Sequence, residues 1–229
     1  MTPRKRLAVI TGAGRGLGKS LVEEFSDAGW AVVALTRTPA EWADRQHVTT
    51  ITHDVRHEPS AELMSALGDS PIDVLINNAA QGARHSRLGD IAAEGVMNAV
   101  DVNVAGPLRL VQAVLPNLLA APDPVIINVT SRLGSVVAQA RGDYSDLSTS
   151  YAYKISKAAQ NMLTISLAQD LAGQVRCWAV HPGKLATGMG QSDASKDPRL
   201  AARELRELVD SGDRVSPRFV SLGAADLAW

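Results

Sequence analysis

Short apolar runs recur along the chain, and segments with a helical alternation of apolar and polar residues lie between them. The apolar runs predict strands at residues 7–10, 31–35, 48–52, 74–76, 125–129 and 176–180. The amphipathic segments predict helices at residues 17–28, 60–67, 90–100, 104–120, 153–172 and 199–210. Strands this apolar are buried on both faces. The pattern therefore predicts a Rossmann-type α/β fold, a doubly wound parallel sheet flanked by helices on both faces, in a single domain covering residues 1–229.

A glycine-rich turn follows the first predicted strand. Gly12, Gly16 and Gly18 stand in a Gly-x-x-x-Gly-x-Gly spacing that leads into the first helix. Glycines let the backbone approach a pyrophosphate closely, and the helix N-terminus offers free N–H groups to the phosphates. The phosphate loop of nucleotide hydrolases would need a glycine at position 13, where this chain has Ala13. The turn therefore predicts a dinucleotide site.

A tyrosine and a lysine share one face of the helix predicted at residues 153–172. Tyr153 and Lys157 are four positions apart, so the phenol lies beside the ammonium. A nearby positive charge favours a phenolate, so we expect Lys157 to lower the pKa of Tyr153 and to make it an acid/base near neutral pH. Tyr151 has Ile155 at the corresponding position and is an internal comparison.

These two motifs and several further segments together resemble the short-chain dehydrogenase/reductase family, closest to its C-factor-like and carbonyl-reductase-like branch. The further segments are Asp54-Val55, Asn77-Asn78-Ala79-Ala80, Asn103, the run 126–131 ending on Ser131, and His181-Pro182-Gly183 with the later Thr187. The resemblance covers nearly the whole chain. The residues expected to contact the dinucleotide are Gly12, Gly14, Arg15, Gly16, Leu17, Gly18, Arg37, Asp54, Val55, Asn78, Ala79, Ala80, Tyr153, Lys157, Pro182, Gly183, Leu185 and Thr187.

The resemblance also implies four catalytic roles. Ser131 would hydrogen-bond the substrate carbonyl, and Tyr153 would act as acid/base. Lys157 would hold the nicotinamide ribose in addition to placing its charge near the phenol. Asn103 would hold a water that connects the lysine to solvent.

The chain departs from the family pattern near the expected substrate. Ala80 replaces the usual glycine, and Lys184 stands where the C-factor-like branch tends to carry tryptophan. The serine and the tyrosine are 22 positions apart, which is longer than usual, and the added stretch 139–150 is polar and predicts a loop. Residues 187–200 are a candidate substrate lid.

The residues after the second predicted strand indicate which dinucleotide binds. Enzymes that prefer NAD usually place an acidic residue there, which binds the ribose 2′-hydroxyl. Here the strand continues into Thr36-Arg37-Thr38 without an acid. Arg37 and Arg15 can clamp a 2′-phosphate, so NADP(H) is favoured over NAD(H). Asp54 is expected to accept a hydrogen bond from the adenine amino group.

Composition argues against several other classes of protein. The formal net charge of −1 argues against a nucleic-acid-binding surface. The single cysteine, Cys177, excludes an intrachain disulfide, and no apolar stretch approaches a membrane span. The five histidines show no metal-ligand spacing, so no metal site is expected. We expect a cytoplasmic protein. The resemblance favours a homodimer or homotetramer formed through the helices at 90–120 and 153–172, although some relatives that carry the insertion are monomers.

The resemblance implies an NADPH-dependent oxidoreductase that reduces a ketone or aldehyde to an alcohol, or catalyses the reverse, on a small-molecule substrate. Two alternatives stay open at this point. One is a non-catalytic NADP(H)-binding sensor or signalling protein, which would have no need of the complete set Asn103, Ser131, Tyr153 and Lys157. The other is an epimerase or dehydratase on the same fold, which usually carries a further substrate-binding region.

Overall fold

Seven strands form one parallel sheet in the computed structural model, which describes residues 4–38, 45–82, 88–147, 149–186 and 194–229. The strands are β1 (Leu7–Thr11), β2 (Ala31–Thr36), β3 (Val48–Thr52), β4 (Val74–Asn77), β5 (Val125–Val129), β6 (Arg176–His181) and β7 (Arg218–Ser221). Their order is β3-β2-β1-β4-β5-β6-β7, and every neighbouring pair is parallel. The six predicted strands are confirmed, and β7 is an edge strand that the apolar pattern did not predict.

Helices cover both faces of this sheet. They are α1 (Gly16–Asp27), α2 (Ala61–Leu67), α3 (Ala93–Val100), α4 (Gly106–Leu119), α5 (Val136–Arg141), α6 (Tyr151–Asp170) and α7 (Pro198–Asp210). On one face, Phe25 of α1 and Leu205 of α7 belong to a single hydrophobic core. On the other face, Leu63 of α2, Leu110 of α4 and Leu167 of α6 belong to a second core.

The central strand β1 shows how the sequence produces these two cores. Ala8 and Ile10 join the core of α1 and α7, whereas Val9 joins the core of α2, α4 and α6. Side chains of a strand alternate between its faces, and here both faces are covered. All five residues of β1 are buried, so the run is apolar without alternation. The predicted doubly wound parallel sheet is confirmed.

The strand order reverses at the middle of the sheet. Strands β1, β2 and β3 follow one another in one direction, and β4 to β7 follow in the other. Ligands of open α/β sheets bind beyond the carboxyl ends of the strands at such a reversal. The glycine turn follows β1 and Asn78 follows β4, so two motifs far apart in sequence meet at this crevice.

The helices predicted at 90–100 and 104–120 join through a π-helical turn, Asp101–Ala105. Asn103 lies in this turn and is fully buried. Such turns are frequent at functional sites because they redirect side chains within a helix. Gly106 begins α4 directly after the turn, and a Cβ there would lie 2.9 Å from the Val55 carbonyl oxygen. The glycine therefore lets α4 approach the segment after β3.

The polar stretch 139–150 is partly helical, which corrects the prediction of a loop. Helix α5 extends to Arg141, and Ser135 caps its start by accepting a hydrogen bond from the Ala138 N–H at 3.1 Å. Ser150 caps α6 in the same way, because its hydroxyl accepts from the Tyr153 N–H at 3.1 Å. Serine is a preferred N-cap residue because its short side chain satisfies a free backbone donor. The two caps fix both ends of the added segment.

Candidate active site

The segment after β4 is held directly on the glycine turn. The Thr11 hydroxyl accepts hydrogen bonds from the backbone N–H groups of Asn78 and Ala79, at 3.0 and 2.9 Å. In return, the Asn78 amide donates to the carbonyl oxygens of Thr11 and Gly12, at 3.0 and 3.2 Å. Gly12 has a φ of +64°, and a Cβ there would lie 2.8 Å from the Ala79 Cα. A side chain at position 12 would therefore push the two segments apart.

Gly18 sits in the tightest part of the turn, and we expect Gly18→Ala to destabilise the protein. A Cβ at position 18 would lie 2.1 Å from the Gly12 carbonyl oxygen and 2.6 Å from the Asn78 amide nitrogen. Overpacking of this kind costs about 1–3 kcal/mol, or roughly 2–10 °C in Tm for a chain of this size. Gly14→Ala is the matched control, since its Cβ would meet Thr36 only at 3.8 Å. Equal Tm values for the two variants in a thermal melt would contradict this account of the turn.

Two arginines flank the glycine turn where it contacts the end of β2. The Ala13 N–H donates to the Leu35 carbonyl oxygen at 3.0 Å, so the turn lies against that strand. Arg15 precedes α1 and Arg37 follows β2, and both are exposed. In the described part of the chain, neither guanidinium has an ion-pair partner. Two free cations at this position can receive a phosphate.

Asp54 forms an ion pair with Arg56 after β3. Their closest oxygen and nitrogen atoms are 2.6 Å apart. The hydrogen bonds from Arg56 lower the pKa of Asp54 to about 2, so this carboxylate is a hydrogen-bond acceptor at every pH near neutrality. Val55 beside it is buried. The contact of Asp54 with adenine stays a prediction.

The structure brings Ser131, Tyr153 and Lys157 together. Ser131 follows β5, and Tyr153 and Lys157 lie on neighbouring turns of α6. The Ser131 side chain lies close enough to the Tyr153 phenol to influence its pKa, and its hydroxyl accepts a hydrogen bond from the Leu133 N–H at 3.2 Å. The Lys157 Nζ lies 5.8 Å from the centre of the Tyr153 ring. A Cβ at Gly134 would lie 2.7 Å from the Lys157 carbonyl carbon, so the serine turn packs tightly on the helix.

The pKa of Tyr153 is raised rather than lowered, which corrects the expectation from the sequence. Burial is the main cause, and the hydrogen bond from Ser131 opposes it. Burial also lowers the pKa of Lys157 to about 7. Removal from water disfavours the charged form of both groups, and it is the largest cause of both shifts.

The ammonium of Lys157 is directed at two uncharged acceptors. Its Nζ donates to the Val129 carbonyl oxygen at 2.9 Å and to the Gln160 Oε1 at 2.8 Å. Lys157 is 1% exposed and Gln160 is fully buried. Sequence reasoning missed Gln160, although its position three residues after Lys157 places it on the same helix face. These two acceptors take up two of the three ammonium protons of Lys157.

Asn103 ties the segment after β4 to α6. Its Oδ1 accepts from the Gln81 N–H at 2.8 Å. Its Nδ2 donates to the Gln81 carbonyl oxygen at 3.0 Å and to the Ser156 hydroxyl at 2.9 Å. The side chain therefore has its hydrogen-bonding capacity largely satisfied within the protein. The expected water link between Asn103 and Lys157 stays a prediction.

The Pro182-Gly183 turn follows β6 at the far side of the crevice. Gly183 has a φ of +94°, and Lys196 lies over it with its Cδ 2.7 Å from where a Cβ would stand. Leu185 pairs with Lys196, and the Lys196 ammonium bonds to Glu204 of α7 and, at 3.0 Å, to the Leu222 carbonyl oxygen. The described part of the candidate lid, from residue 194, is thus fastened to the body of the protein. Thr187 and residues 188–193 lie outside the described residues.

A cavity of about 480 Å³ lies on the side of α6 that faces away from the tyrosine–lysine pair. Tyr151, Lys154, Ile155 and Ala158 line it from the helix. These positions share one helix face, and positions 153 and 157 point elsewhere. The cavity is therefore separate from the candidate active site.

Neither a membrane span nor a metal centre is found in the described ranges. None of the helices there is long and apolar enough to cross a bilayer. No group of three or more His, Cys, Asp or Glu side chains among those residues is arranged to hold a metal ion.

Comparisons with known proteins agree with this geometry. A family model described as short chain dehydrogenase matches residues 6–198. C-signal of Myxococcus xanthus is 34% identical over 161 residues, which are 69% of this chain and 93% of that protein. The NADPH carbonyl reductase 2 of Sus scrofa is 32% identical over 207 residues, which are 87% of this chain and 79% of that protein. The solved structure of the carbonyl reductase Sniffer of D. melanogaster superposes with a TM-score of 0.87 at 25% identity, covering 99% of this chain and 100% of that one.

Proposed function

Because the chain belongs to the short-chain dehydrogenase family and is an NAD(P)-dependent oxidoreductase, we propose that it reduces a ketone or aldehyde at the expense of NADPH. When bound, NADPH supplies the hydride that adds to the carbonyl carbon. Tyr153 gives its phenolic proton to the carbonyl oxygen, and Ser131 donates a hydrogen bond to the same oxygen. The products are an alcohol and NADP⁺, and the reaction runs in reverse from an alcohol.

The observation that carries this proposal is the proximity of the Ser131 side chain to the Tyr153 phenol, with the ammonium of the buried Lys157 5.8 Å from the centre of the same ring. A raised pKa keeps the phenol protonated at neutral pH, which is the state that an acid needs. Two hydroxyl groups on one oxygen stabilise the negative charge that develops there. Lys157 has three ammonium donors and uses two on Val129 and Gln160, which leaves one for a ribose hydroxyl of the cofactor.

The residues present fit a dinucleotide. Gly14 leaves open space in the turn after β1, since the nearest atom would lie 3.8 Å from a Cβ there, and the N-terminus of α1 offers free N–H groups. Lys157 would hold the nicotinamide ribose at the other end of the crevice. The remaining cofactor contacts that we propose are Asp54, Val55, Asn78, Ala79, Ala80, Pro182, Gly183, Leu185 and Thr187.

We expect Arg37→Ala to weaken NADPH binding about 10- to 100-fold while changing NADH binding little, because a lost charge-assisted hydrogen bond costs about 1.5–3 kcal/mol. The acid that would bind a 2′-hydroxyl is absent after β2. Cofactor fluorescence titration measures both dissociation constants. Arg203→Ala on the exposed face of α7 is the control for loss of one surface charge. Equal weakening of both cofactors by Arg37→Ala would contradict the 2′-phosphate clamp.

A screen of carbonyls and alcohols tests the activity itself. NADPH and NADH are supplied in parallel with each carbonyl compound, NADP⁺ and NAD⁺ are supplied with each alcohol, and the absorbance of the reduced cofactor is followed. We expect stoichiometric oxidation of NADPH with at least one ketone or aldehyde. Cycling of the cofactor without net oxidation would instead indicate an epimerase.

We also propose that the protein forms a homodimer or homotetramer in the cytoplasm. Light scattering of the purified protein measures the oligomeric state.

A second candidate function is that of a non-catalytic NADP(H)-binding signalling protein. One observation favours it, the 34% identity with a protein called C-signal. Firm NADPH binding with no turnover across the whole screen would support this alternative. The clustered Ser131, Tyr153 and Lys157 favour the reductase.

A further inference from the structure

Gln160 is the one side chain that hydrogen-bonds the ammonium of Lys157 in the described structure. Its Oε1 accepts from the Lys157 Nζ at 2.8 Å, and the second acceptor, Val129, contributes a backbone oxygen at 2.9 Å. Gln160 is 0% exposed. A buried ammonium needs hydrogen-bond acceptors within the protein, since it cannot donate hydrogen bonds to water.

The orientation of the Gln160 amide follows from the lysine. An ammonium donates only, so the end of the amide that faces it must be the oxygen. The Nε2 then faces away, and it is buried without a hydrogen-bond partner among the described residues. A buried donor without a partner destabilises a protein. Packing alone therefore does not account for a glutamine at position 160.

Helix α6 and the sheet hold Gln160 in place through a row of buried hydrogen bonds. The Thr164 hydroxyl donates to the Gln160 backbone carbonyl at 2.9 Å. Asn128 donates to that hydroxyl at 2.9 Å, and Asn77 donates to the Asn128 Oδ1 at 2.9 Å. Asn77 is the last residue of β4 and precedes Asn78 of the glycine-turn contact. The row therefore connects the end of β4 to the backbone of Gln160.

We propose that Gln160 is a positioning residue that keeps the buried Lys157 charged and directs its remaining N–H toward the cofactor. The proposal rests on the proposed function, because it deepens the role of Lys157 in that site. Gln160 acts through Lys157 and touches no reacting atom. It makes the charge of the lysine available at the pH of catalysis.

The charge state of Lys157 depends on few groups. Burial alone accounts for its lowered pKa, to about 7, and a hydrogen bond to the charged form opposes that shift. Tyr153 is the titratable group that faces it on α6. The titratable or charged residues on the elements packed against α6 are Glu94, Asp101, Arg132, Arg176, Cys177 and His181. None of them contributes to the shift of Lys157.

The test is a direct titration of Lys157 in the ligand-free protein. Lysine labelled at Cε and Nζ is followed by NMR against pH, and Lys157→Met assigns the signal. We expect Gln160→Leu to lower the pKa of Lys157 by about one unit or more, because the charged form loses an acceptor. Gln160→Glu places an anion there and is expected to raise it by about one unit or more. Asn117→Leu on α4 is the control, since it removes a buried amide that donates to the Gly68 and Ser70 carbonyl oxygens and does not hydrogen-bond the lysine.

A merely structural role makes a different prediction. If Gln160 only fills space, Gln160→Leu removes an unpartnered amide, raises Tm and leaves the Lys157 titration within about 0.3 units of the original, since nothing that favours either charge state has changed. That result would overturn the proposal. Should Gln160→Glu fail to fold, Gln160→Leu and Gln160→Met carry the test.

The pH dependence of carbonyl reduction is the second measurement. As the pH rises, kcat/KM falls when Lys157 loses its proton. In Gln160→Leu this fall is expected at a pH about one unit lower than in the original protein, because the pKa of Lys157 is lower by the same amount. The NMR titration needs neither cofactor nor substrate. It therefore decides the role of Gln160 even if no carbonyl is reduced, and an unchanged titration in an active enzyme would defeat this inference alone.

Discussion

Tyr153→Phe is expected to lower kcat for carbonyl reduction at least about 10³-fold while NADPH binding stays within a few-fold. Loss of the phenolic hydroxyl removes both the acid and one of the two hydrogen bonds to the carbonyl oxygen, and each is worth about 10²-fold or more. The aromatic ring remains and fills the same space. Steady-state kinetics and cofactor titration on the same preparation measure both quantities.

Tyr151→Phe is the matched control for this substitution. Tyr151 lies two residues earlier on α6, is 45% exposed and has Ile155 instead of a lysine four residues on. Its variant is expected to keep full activity. Substantial turnover in Tyr153→Phe would show that the proton comes from another group, and the assignment of Tyr153 would be wrong.

Lys157→Met is expected to abolish reduction and to change how stability depends on pH. Methionine has a similar length but provides neither a charge nor a donor for a ribose hydroxyl. We expect kcat/KM to fall about 10³-fold or more, since it loses a charge-assisted contact to the cofactor and an electrostatic contribution at the phenol. Lys157→Arg is not expected to restore activity, because the planar guanidinium does not fit a site shaped around an ammonium.

The stability effect follows from the lowered pKa of Lys157, from 10.5 to about 7. Below pH 7 the lysine is charged in both the folded and the unfolded protein, and the full cost of its burial is present. Between pH 7 and 10.5 the unfolded chain binds the proton more strongly, so the stability of the original protein rises with pH. The total is on the order of 5 kcal/mol at about 1.4 kcal/mol per unit.

Urea unfolding at pH 6, 8 and 10 measures this effect. The free energy of unfolding of Lys157→Met minus that of the original protein is expected to decrease by about 2–4 kcal/mol from pH 6 to pH 10. Cys177, whose pKa burial raises to about 12, affects both proteins equally and cancels in the difference. A difference that stays constant with pH would mean that Lys157 titrates normally and is not held in a dry site.

The sequence was sufficient for the parts of the fold that depend on local pattern. The buried strands are continuous apolar runs, and the glycines and the Tyr–Lys spacing stand in short segments whose chemistry is local. Strand β7 was missed because Arg218–Ser221 is only four residues long and is fixed by pairing with β6 rather than by its own composition. Helix α5 was missed for a similar reason, since six residues form a helix here only with the Ser135 cap and the surrounding packing.

The electrostatics of the site were the least predictable from sequence. The four-residue spacing of Tyr153 and Lys157 is correct, but it says nothing about burial, and burial decides the direction of both pKa shifts. The contact of Lys157 with Gln160 depends on the depth at which α6 packs on the sheet. Likewise, the apolar pattern predicts two separate helices at 90–100 and 104–120, but it does not show that a π-helical turn carrying Asn103 joins them.

The most direct measurement is the transfer of deuterium to a carbonyl compound from NADPH that carries deuterium at both C4 positions of the nicotinamide. Product from the original protein is expected to carry one deuterium on the carbinol carbon, and Tyr153→Phe, loaded with the same cofactor, is expected to form almost none. Label that never reaches carbon, or an equal yield from both proteins, would contradict hydride transfer assisted by this tyrosine.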